Sequence, residues 1–375
     1  MNPKIWLSSP HMSGNEQKFI NEAFNSNWIA PLGPNVSGFE EDISQYLNEG
    51  TYVAALSSGT AAIHLALIIL NVSRDDIVLC QSKTFSASAN PIVYQGAKPV
   101  FIDSEKETWN LCPIQLEIAI KDSIAKGKKP KAIIAVHLYG MPYKVDEIHT
   151  IASTYNIPII EDSAEAFGSS YKNKKCGTFG DISILSFNGN KIITTSGGGA
   201  LVTSKKKIKD KAVFLATQAR DKSVAYLHSH IGYNYRMSNV IAGIGRGQMT
   251  VLDKHVKLRR KNYRFYEETL GNLDSVELLN EPQDYFSNRW LSCMLLDSNK
   301  SREALRLEFD KENIETRPLW KPMHQQPIFS DCKAYINGVS DNLFERGLCL
   351  PSGSNLTNPE LDRIYGVLKS FFALS

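Results

Sequence analysis

Short apolar runs alternate with helical patterns through the first two-thirds of this chain, and that alternation restricts its fold more than any other feature. Residues 53–56, 76–80, 98–102, 131–137 and 157–160 are apolar runs of strand length. Between them, 60–70, 86–94, 113–125 and 145–155 carry helical periodicity and length. Repeated β-α-β units of this kind predict an α/β fold, with a mainly parallel central sheet between layers of helices. Two further runs, 182–186 and 199–203, are joined too tightly for a crossover helix and predict a hairpin-like antiparallel pair. From 240 a helical pattern continues to about 270. It begins with the small residues Ala242, Gly243, Gly245 and Gly247, which suit close helix packing within a subunit or across a dimer. A strand near 290–296 and helices near 301–311 and 359–372 complete a small C-terminal α/β domain. The predicted division is 1–245 for the large domain and 246–375 for the linking helix and small domain.

Composition excludes several classes of protein. The net charge of +3 gives no reason to expect nucleic acid or an acidic membrane surface as a partner. Lys205, Lys206, Lys207, Lys209 and Lys211 form the one dense basic run, read as the solvated face of a helix start capped by Ser204. The six cysteines show no C-x-x-C pair, which argues for reduced thiols and against a disulfide frame or a zinc site. The first residues lack the apolar core of a signal peptide, and the longest apolar stretch, 61–70, is too short to span a bilayer. The expectation is a cytoplasmic chain with no membrane partner and no metal.

The polar residues at strand ends carry the chemistry. Ser57-Ser58-Gly59-Thr60-Ala61-Ala62 lies where a strand gives way to a helix, whose first N–H groups are unpaired and whose dipole favours anions. Either a phosphate cradle or an ordinary Ser/Thr cap fits this stretch. Phe85, after a strand, is either a ring-stacking aromatic or core. Glu161-Asp162-Ser163-Ala164-Glu165 closes another apolar run, so Asp162 points to the edge of the sheet where such folds bind ligands. Lys191 follows Ser186 by five positions and precedes Gly197-Gly198-Gly199. A lysine that an aldehyde can capture, with a carboxylate to keep a pyridine nitrogen protonated, is what pyridoxal phosphate chemistry requires. Ser186 can add a hydroxyl to the phosphate, and Glu165 can reach the ring hydroxyl or the substrate. His137, also at a strand end, is read as a satisfied polar residue and not as a catalyst. The glycine run is no dinucleotide fingerprint, because it does not form G-x-G-x-x-G after the first strand.

Taken in order, Thr84-Phe85, Glu161 to Glu165, Ser186-Phe187 with Lys191, Gly197-Gly198-Gly199, and Gly232-Tyr233-Asn234-Tyr235-Arg236-Met237-Ser238 resemble the DegT/StrS family of pyridoxal-phosphate-dependent sugar-nucleotide aminotransferases. The likeness covers nearly the whole chain. Within the family, the segments 9–12, 27–33, 188–199, 287–292 and 315–320 look most like the branch that aminates C4 of UDP-4-keto-6-deoxy-N-acetylglucosamine, on the route to bacillosamine. Glu165, where many members have Gln, agrees with that branch. Lys191 stands where members that remove a hydroxyl carry His.

The resemblance implies an aspartate-aminotransferase-like (type I) fold and a homodimer with shared active sites. It makes Lys191 the Schiff-base lysine and Asp162 the partner of the pyridine nitrogen. Phe85 would stack on the ring, while Gly59, Thr60 and Ser186 would hold phosphate. Asn234 would reach the phosphate of the neighbouring subunit's cofactor. Arg236, Asn288, Arg289, Arg317 and His324 are candidates for the nucleotide-sugar diphosphate or the donor L-glutamate, and each could equally form a structural ion pair. The same chemistry on a GDP- or dTDP-linked keto sugar, or a non-catalytic regulator of the same fold, are the rival readings.

Overall fold

Strands that are apolar on both faces must be covered on both, and the strand runs are placed accordingly. The computed structural model describes residues 2–374. Its main sheet contains β1 (Tyr52–Leu56), β2 (Ile77–Gln81), β3 (Lys98–Ile102), β4 (Ala132–Val136), β5 (Ile159–Asp162), β6 (Ile182–Ser186) and β7 (Gly199–Thr203). In space the order is β1-β7-β6-β5-β4-β2-β3, and all run parallel except β7, which is antiparallel to both β1 and β6. The predicted hairpin-like pair is therefore present, with Ser186 opposite Gly199.

Alternation along β4 shows how the layers form. Ile134 and Val136 join the core with Ala62, Ala66 and Leu215, while Ile133 and Ala135 face the opposite core with Leu116, Ile120 and Ile148. The covering helices are α1 (Glu16–Asn25), α2 (Pro34–Leu47), α3 (Gly59–Ile69), α4 (Asn90–Tyr94), α5 (Pro113–Ala125), α6 (Val145–Thr154) and α7 (Lys206–Ala216). The predicted helix over 86–94 is instead a 3-10 turn at Ser86–Ser88 followed by α4. Pro91 lies in the first turn of α4, where its missing N–H costs no helical bond, so the helix starts there and not at Ser86. Helix α7 begins at Lys206 with Lys205 in the cap position and no side-chain cap, so Ser204 does not cap it. The Thr203 hydroxyl accepts from the Lys205 amide instead.

The predicted helix over 240–270 is two helices, α8 (Asn239–Met249) and α9 (Leu252–Leu270), interrupted at Thr250 and Val251. The small residues of α8 serve packing inside the chain, against α1 and α2. A Cβ on Gly245 would lie 2.6 Å from the Phe39 ring. Beyond α9, β8 (Val276–Leu278), β9 (Ser292–Leu296), β10 (Arg317–Pro318) and β12 (Gly347–Leu350) form an antiparallel sheet in the order β8-β9-β12-β10. Helices α10 (Asn299–Lys311), α11 (Val339–Arg346) and α12 (Asn358–Phe372) belong to the same lobe. Its core unites Ile5 with Tyr266, Met294, Leu305 and Ile364. A short strand from this region, β11 (Ala334–Tyr335), returns to the main sheet and pairs in parallel with the free edge of β3.

One buried carboxylate ties the middle of the main sheet together. Glu161 Oε1 accepts from His137 Nε2, Ser163 Oγ and the Gly177 amide; Oε2 accepts from the Phe179 and Gly180 amides and Ser183 Oγ. His137 Nδ1 accepts from the Tyr143 amide, so its proton lies on Nε2. Burial alone would raise the Glu161 pKa, but the bonds from His137 and from the Gly177 and Gly180 amides outweigh it and hold the carboxyl at about 2. His137 is thus a satisfied structural residue. A carboxyl whose pKa is depressed on folding stabilises the fold above its ordinary value of 4.5, and the contribution is lost as pH falls toward 2. We predict that Glu161→Gln removes on the order of 3 kcal/mol of stability at neutral pH, and flattens the pH dependence of unfolding between about 4.5 and 2. Urea titrations across that window check it.

Candidate active site

The carboxyl ends of the parallel strands place polar side chains around one cavity of about 290 Å³. Ser58 ends the turn after β1, and its hydroxyl accepts from the Ala61 amide as the cap of α3. The Gly59 and Thr60 amides, in the first turn of α3, meet no acceptor among the described residues and remain available to an anion. Ser186, at the end of β6, lines the same corner. A Cβ on Gly199 would lie 2.3 Å from the Gly59 nitrogen, so only glycine lets β7 approach this turn so closely. The cradle is a donor-rich hollow that side chains leave open.

Asp162, Glu165 and Lys191 meet at the centre of the cavity. Asp162 is 4% exposed; its Oδ1 accepts from the Ala164 amide and its Oδ2 from Ser88 Oγ. Glu165 Oε1 lies 3.7 Å from Lys191 Nζ, and its Oε2 accepts from the Tyr139 amide at 2.6 Å. Tyr139 takes a left-handed backbone conformation, φ 54°, which is costly for a bulky residue and gathers at functional sites. Lys191 Nζ also sits 4.2 Å from the centre of the Trp290 ring, whose Nε1 donates to the Asn190 carbonyl. The ammonium thus rests between an aromatic face and a carboxylate.

Burial raises the Glu165 carboxyl to about 7, against the pull of Lys191 and the Tyr139 amide. Burial also lowers the Lys191 amine, and Glu165 and Asp162 oppose that shift. Two neighbours whose pKa values are drawn toward neutrality can exchange one proton there. Phe85 projects into the mouth of the cavity, 57% exposed, with its ring 5.4 Å from that of Trp320.

Seven of the residues named from the sequence therefore converge: Gly59, Thr60, Phe85, Asp162, Glu165, Ser186 and Lys191. The others lie elsewhere. Asn234 is exposed, in a backbone bridge to Thr217. Arg236 is engaged by Glu40 and by the Ala55 carbonyl. Asn288 is fully buried, donating to the Glu165 and Phe167 carbonyls and accepting from the Trp290 amide, so it braces the cavity wall from behind. Arg289 is buried as well; it donates to the Leu279 carbonyl and lies 3.7 Å from Glu281. Arg317 is exposed and chelates Glu315. Both ring nitrogens of His324 have partners, Ser82 and Asp341. These five side chains meet protein groups before any ligand.

Sequence reasoning left out Ser88, Asn188, Trp290 and Trp320, which also line the cavity. Asn188 flanks the lysine, and Trp290 and Trp320 lie within the segments that carried the closer resemblance. Ser88, four residues after Thr84, had no local signal.

A profile of the DegT/DnrJ/EryC1/StrS aminotransferase family matches residues 10–369. The chain belongs to this family. It is 52% identical over 99% of its length to the putative pyridoxal phosphate-dependent aminotransferase EpsN of Bacillus subtilis, covering 97% of that protein. It is 38% identical to the GDP-perosamine synthase of Escherichia coli O157:H7, with 98% and 99% of the two chains aligned. The UDP-4-amino-4,6-dideoxy-N-acetyl-beta-L-altrosamine transaminase of Campylobacter jejuni is 37% identical over 85% of each. A DegT/DnrJ/EryC1/StrS aminotransferase from Brucella abortus superposes with a TM-score of 0.89 at 28% identity, over 96% of this chain and 95% of that one. The fold is accordingly the type I, aspartate-aminotransferase-like one, and the protein is an enzyme, a sugar aminotransferase that uses pyridoxal phosphate.

The cavity fits that cofactor on its own geometry: the open amides of Gly59 and Thr60 with the Ser186 hydroxyl in one corner, carboxylates and an amine at the centre, and an aromatic ring at the mouth. We predict that Glu165→Gln moves the reaction of Lys191 with added pyridoxal phosphate to lower pH. The carboxylate raises the amine's pKa, so its loss lowers it. Below about pH 7 Glu165 is itself protonated, so variant and parent converge there. The midpoint of imine absorbance against pH checks this, and an upward move contradicts it.

Proposed function

We propose that this enzyme transfers the amino group of L-glutamate to the C4 keto group of a UDP-linked 4-keto-6-deoxy-N-acetyl sugar, giving a UDP-4-amino-4,6-dideoxy sugar for surface or glycoprotein glycans. The observation that carries the chemistry is the convergence of Lys191, Glu165 and Asp162 beside an open anion cradle. The UDP-N-acetyl sugar is favoured by the likeness of segments 9–12, 188–199 and 315–320 to the bacillosamine branch, and by the UDP-altrosamine relative. The perosamine relative favours the second reading, the same transfer on a GDP-linked sugar. The intact Lys191 speaks for transamination over deoxygenation.

Gly59, Thr60 and Ser186 would hold the cofactor's phosphate, Asp162 its pyridine nitrogen and Phe85 its ring face. Bound there, pyridoxal phosphate supplies an aldehyde that exchanges amines and a ring that draws electrons from the attached carbon. Lys191 Nζ moves the proton at the donor's and the sugar's reacting carbons, and must be uncharged to accept it. Burial lowers that amine's pKa and so favours the uncharged form, while Glu165, 3.7 Å away, is placed to take its proton. Asp162 would stand opposite the ring nitrogen and favour its protonated form, which would make the attached carbon more acidic.

We further propose a homodimer that works in the cytoplasm. Lys191 is the one basic side chain among the described residues lining the cavity, so a phosphate dianion calls for further donors. Val224, Tyr226, Leu227 and Ile231 are strongly exposed on the loop before Asn234, the kind of apolar surface that a second copy covers. All six cysteines are free thiols, in keeping with a reducing compartment.

Purified protein offered UDP-, GDP- and dTDP-linked 4-keto sugars with L-glutamate tests the substrate, read by mass spectrometry of the product. Turnover confined to the GDP sugar overturns the UDP assignment. Lys191→Ala is expected to keep its fold and lose turnover by at least about 10³-fold. Near-parental turnover contradicts the mechanism. Mixing inactive Lys191→Ala with weakened Asn234→Ala is expected to restore activity if sites are shared between subunits, and to leave it unchanged if each chain acts alone.

A further inference from the structure

The carboxylate of Asp162 is held by a chain of hydroxyls that reaches it from the turn after β2. Ser88 Oγ lies 2.6 Å from Asp162 Oδ2 and 2.7 Å from Thr84 Oγ1. Ser88 and Thr84 are both about fully buried, at 2% and 1% exposure. A carboxylate only accepts, so the single Ser88 proton points at Asp162. The contact with Thr84 must then run the other way, with the Thr84 hydroxyl donating to Ser88. The result is a directed relay, Thr84 to Ser88 to Asp162, in which each bond polarises the next.

The backbone builds this relay. Thr84 and Ser88 are four residues apart across the 3-10 turn Ser86–Ser88, which brings their side chains to one side, and the Phe85 carbonyl accepts from the Ser88 amide. Phe85 itself projects from the same turn into the cavity. The titratable groups that face Asp162 are Glu165, Lys191 and Cys80, and none of them hydrogen-bonds its carboxylate among the described residues. Rotation of the carboxylate is therefore fixed by two donors only, Ser88 Oγ and the Ala164 amide.

We propose that Ser88 is a positioning residue for the reaction: through the Thr84–Ser88–Asp162 relay it fixes the orientation in which Asp162 meets the cofactor's ring nitrogen. The inference rests on the pyridoxal phosphate reading of the cavity and adds to it a residue that acts through Asp162.

The test uses the full-length protein and pyridoxal phosphate, without substrate. Ser88→Ala is expected to weaken cofactor binding roughly tenfold, because an Asp162 carboxylate left with one donor must be fixed in orientation when the ring binds. It is also expected to move the pH midpoint of the bound cofactor's visible band upward by at least about half a unit, because a less firmly protonated ring draws fewer electrons from the imine nitrogen. Ser88→Thr, which keeps the hydroxyl, restores both. Thr84→Val, which removes the upstream donor and leaves Asp162 untouched, shifts both in the same direction by less. If Ser88→Ala folds and shows the parent's midpoint and affinity with only a lower melting temperature, the residue is merely structural and the proposal is overturned. If Ser88→Ala does not fold, Thr84→Val decides: a parental midpoint overturns the relay. A parent protein with no visible band on cofactor addition removes the cofactor reading itself, and the relay with it.

Discussion

Two adjacent carboxylates at the end of β5 divide the work of the molecule. Strand alternation sends their side chains to opposite faces. Glu161 turns inward, where six donors close around it: His137 after β4, Ser163 after β5, Ser183 of β6 and the amides of Gly177, Phe179 and Gly180. Asp162 turns to the cavity and keeps two among the described residues. The first arrangement clamps the central strands in register, and so fixes where the second carboxylate can point. An unpaired charge at Glu161 would be too costly to bury, so the surrounding loop has no freedom to drift. The precision of the site begins in this apolar interior, one residue away from the chemistry.

The amine at Lys191 is set by a different balance. Its surroundings withdraw water and so disfavour the charged form, yet they provide an indole face and a carboxylate on which a charge can rest. Burial thus lowers the amine while Glu165 and Asp162 oppose the shift, and that opposition suits a group that must give and take a proton in one cycle. Asn288 contributes from behind the wall. Asn288 links the Glu165 carbonyl to the Trp290 amide, so both sides of the ammonium's resting place hang on one buried amide side chain.

What the sequence disclosed, and what it withheld, follows from the range of the interactions. Parallel strands buried on both faces read as continuous apolar runs, and the residues at their carboxyl ends inherit a common edge; this is why Gly59, Phe85, Asp162 and Ser186 could be gathered with Lys191 without coordinates. Pairings made far along the chain leave no local trace. The return of β11 to the β3 edge rests on two residues, 334 and 335, opposite Phe101 and Ile102. The interruption at Thr250 falls inside an unbroken helical periodicity. Arginine is the least legible of all. Arg236 and Arg289 carry the right chemistry for an oxyanion, and only the position of Glu40, Glu281 and the nearby carbonyls shows that each is already engaged.

The strand at 334 and 335 also bears on how the two lobes can move. It stitches chain from the C-terminal region onto the outer edge of the principal sheet, with the 3-10 turn that carries His324 leading toward it and hydrogen-bonded to Ser82 at the end of β2. Any parting of the C-terminal region from the main sheet has to break these bonds first, so the short strand and the turn act as a fastener between the two.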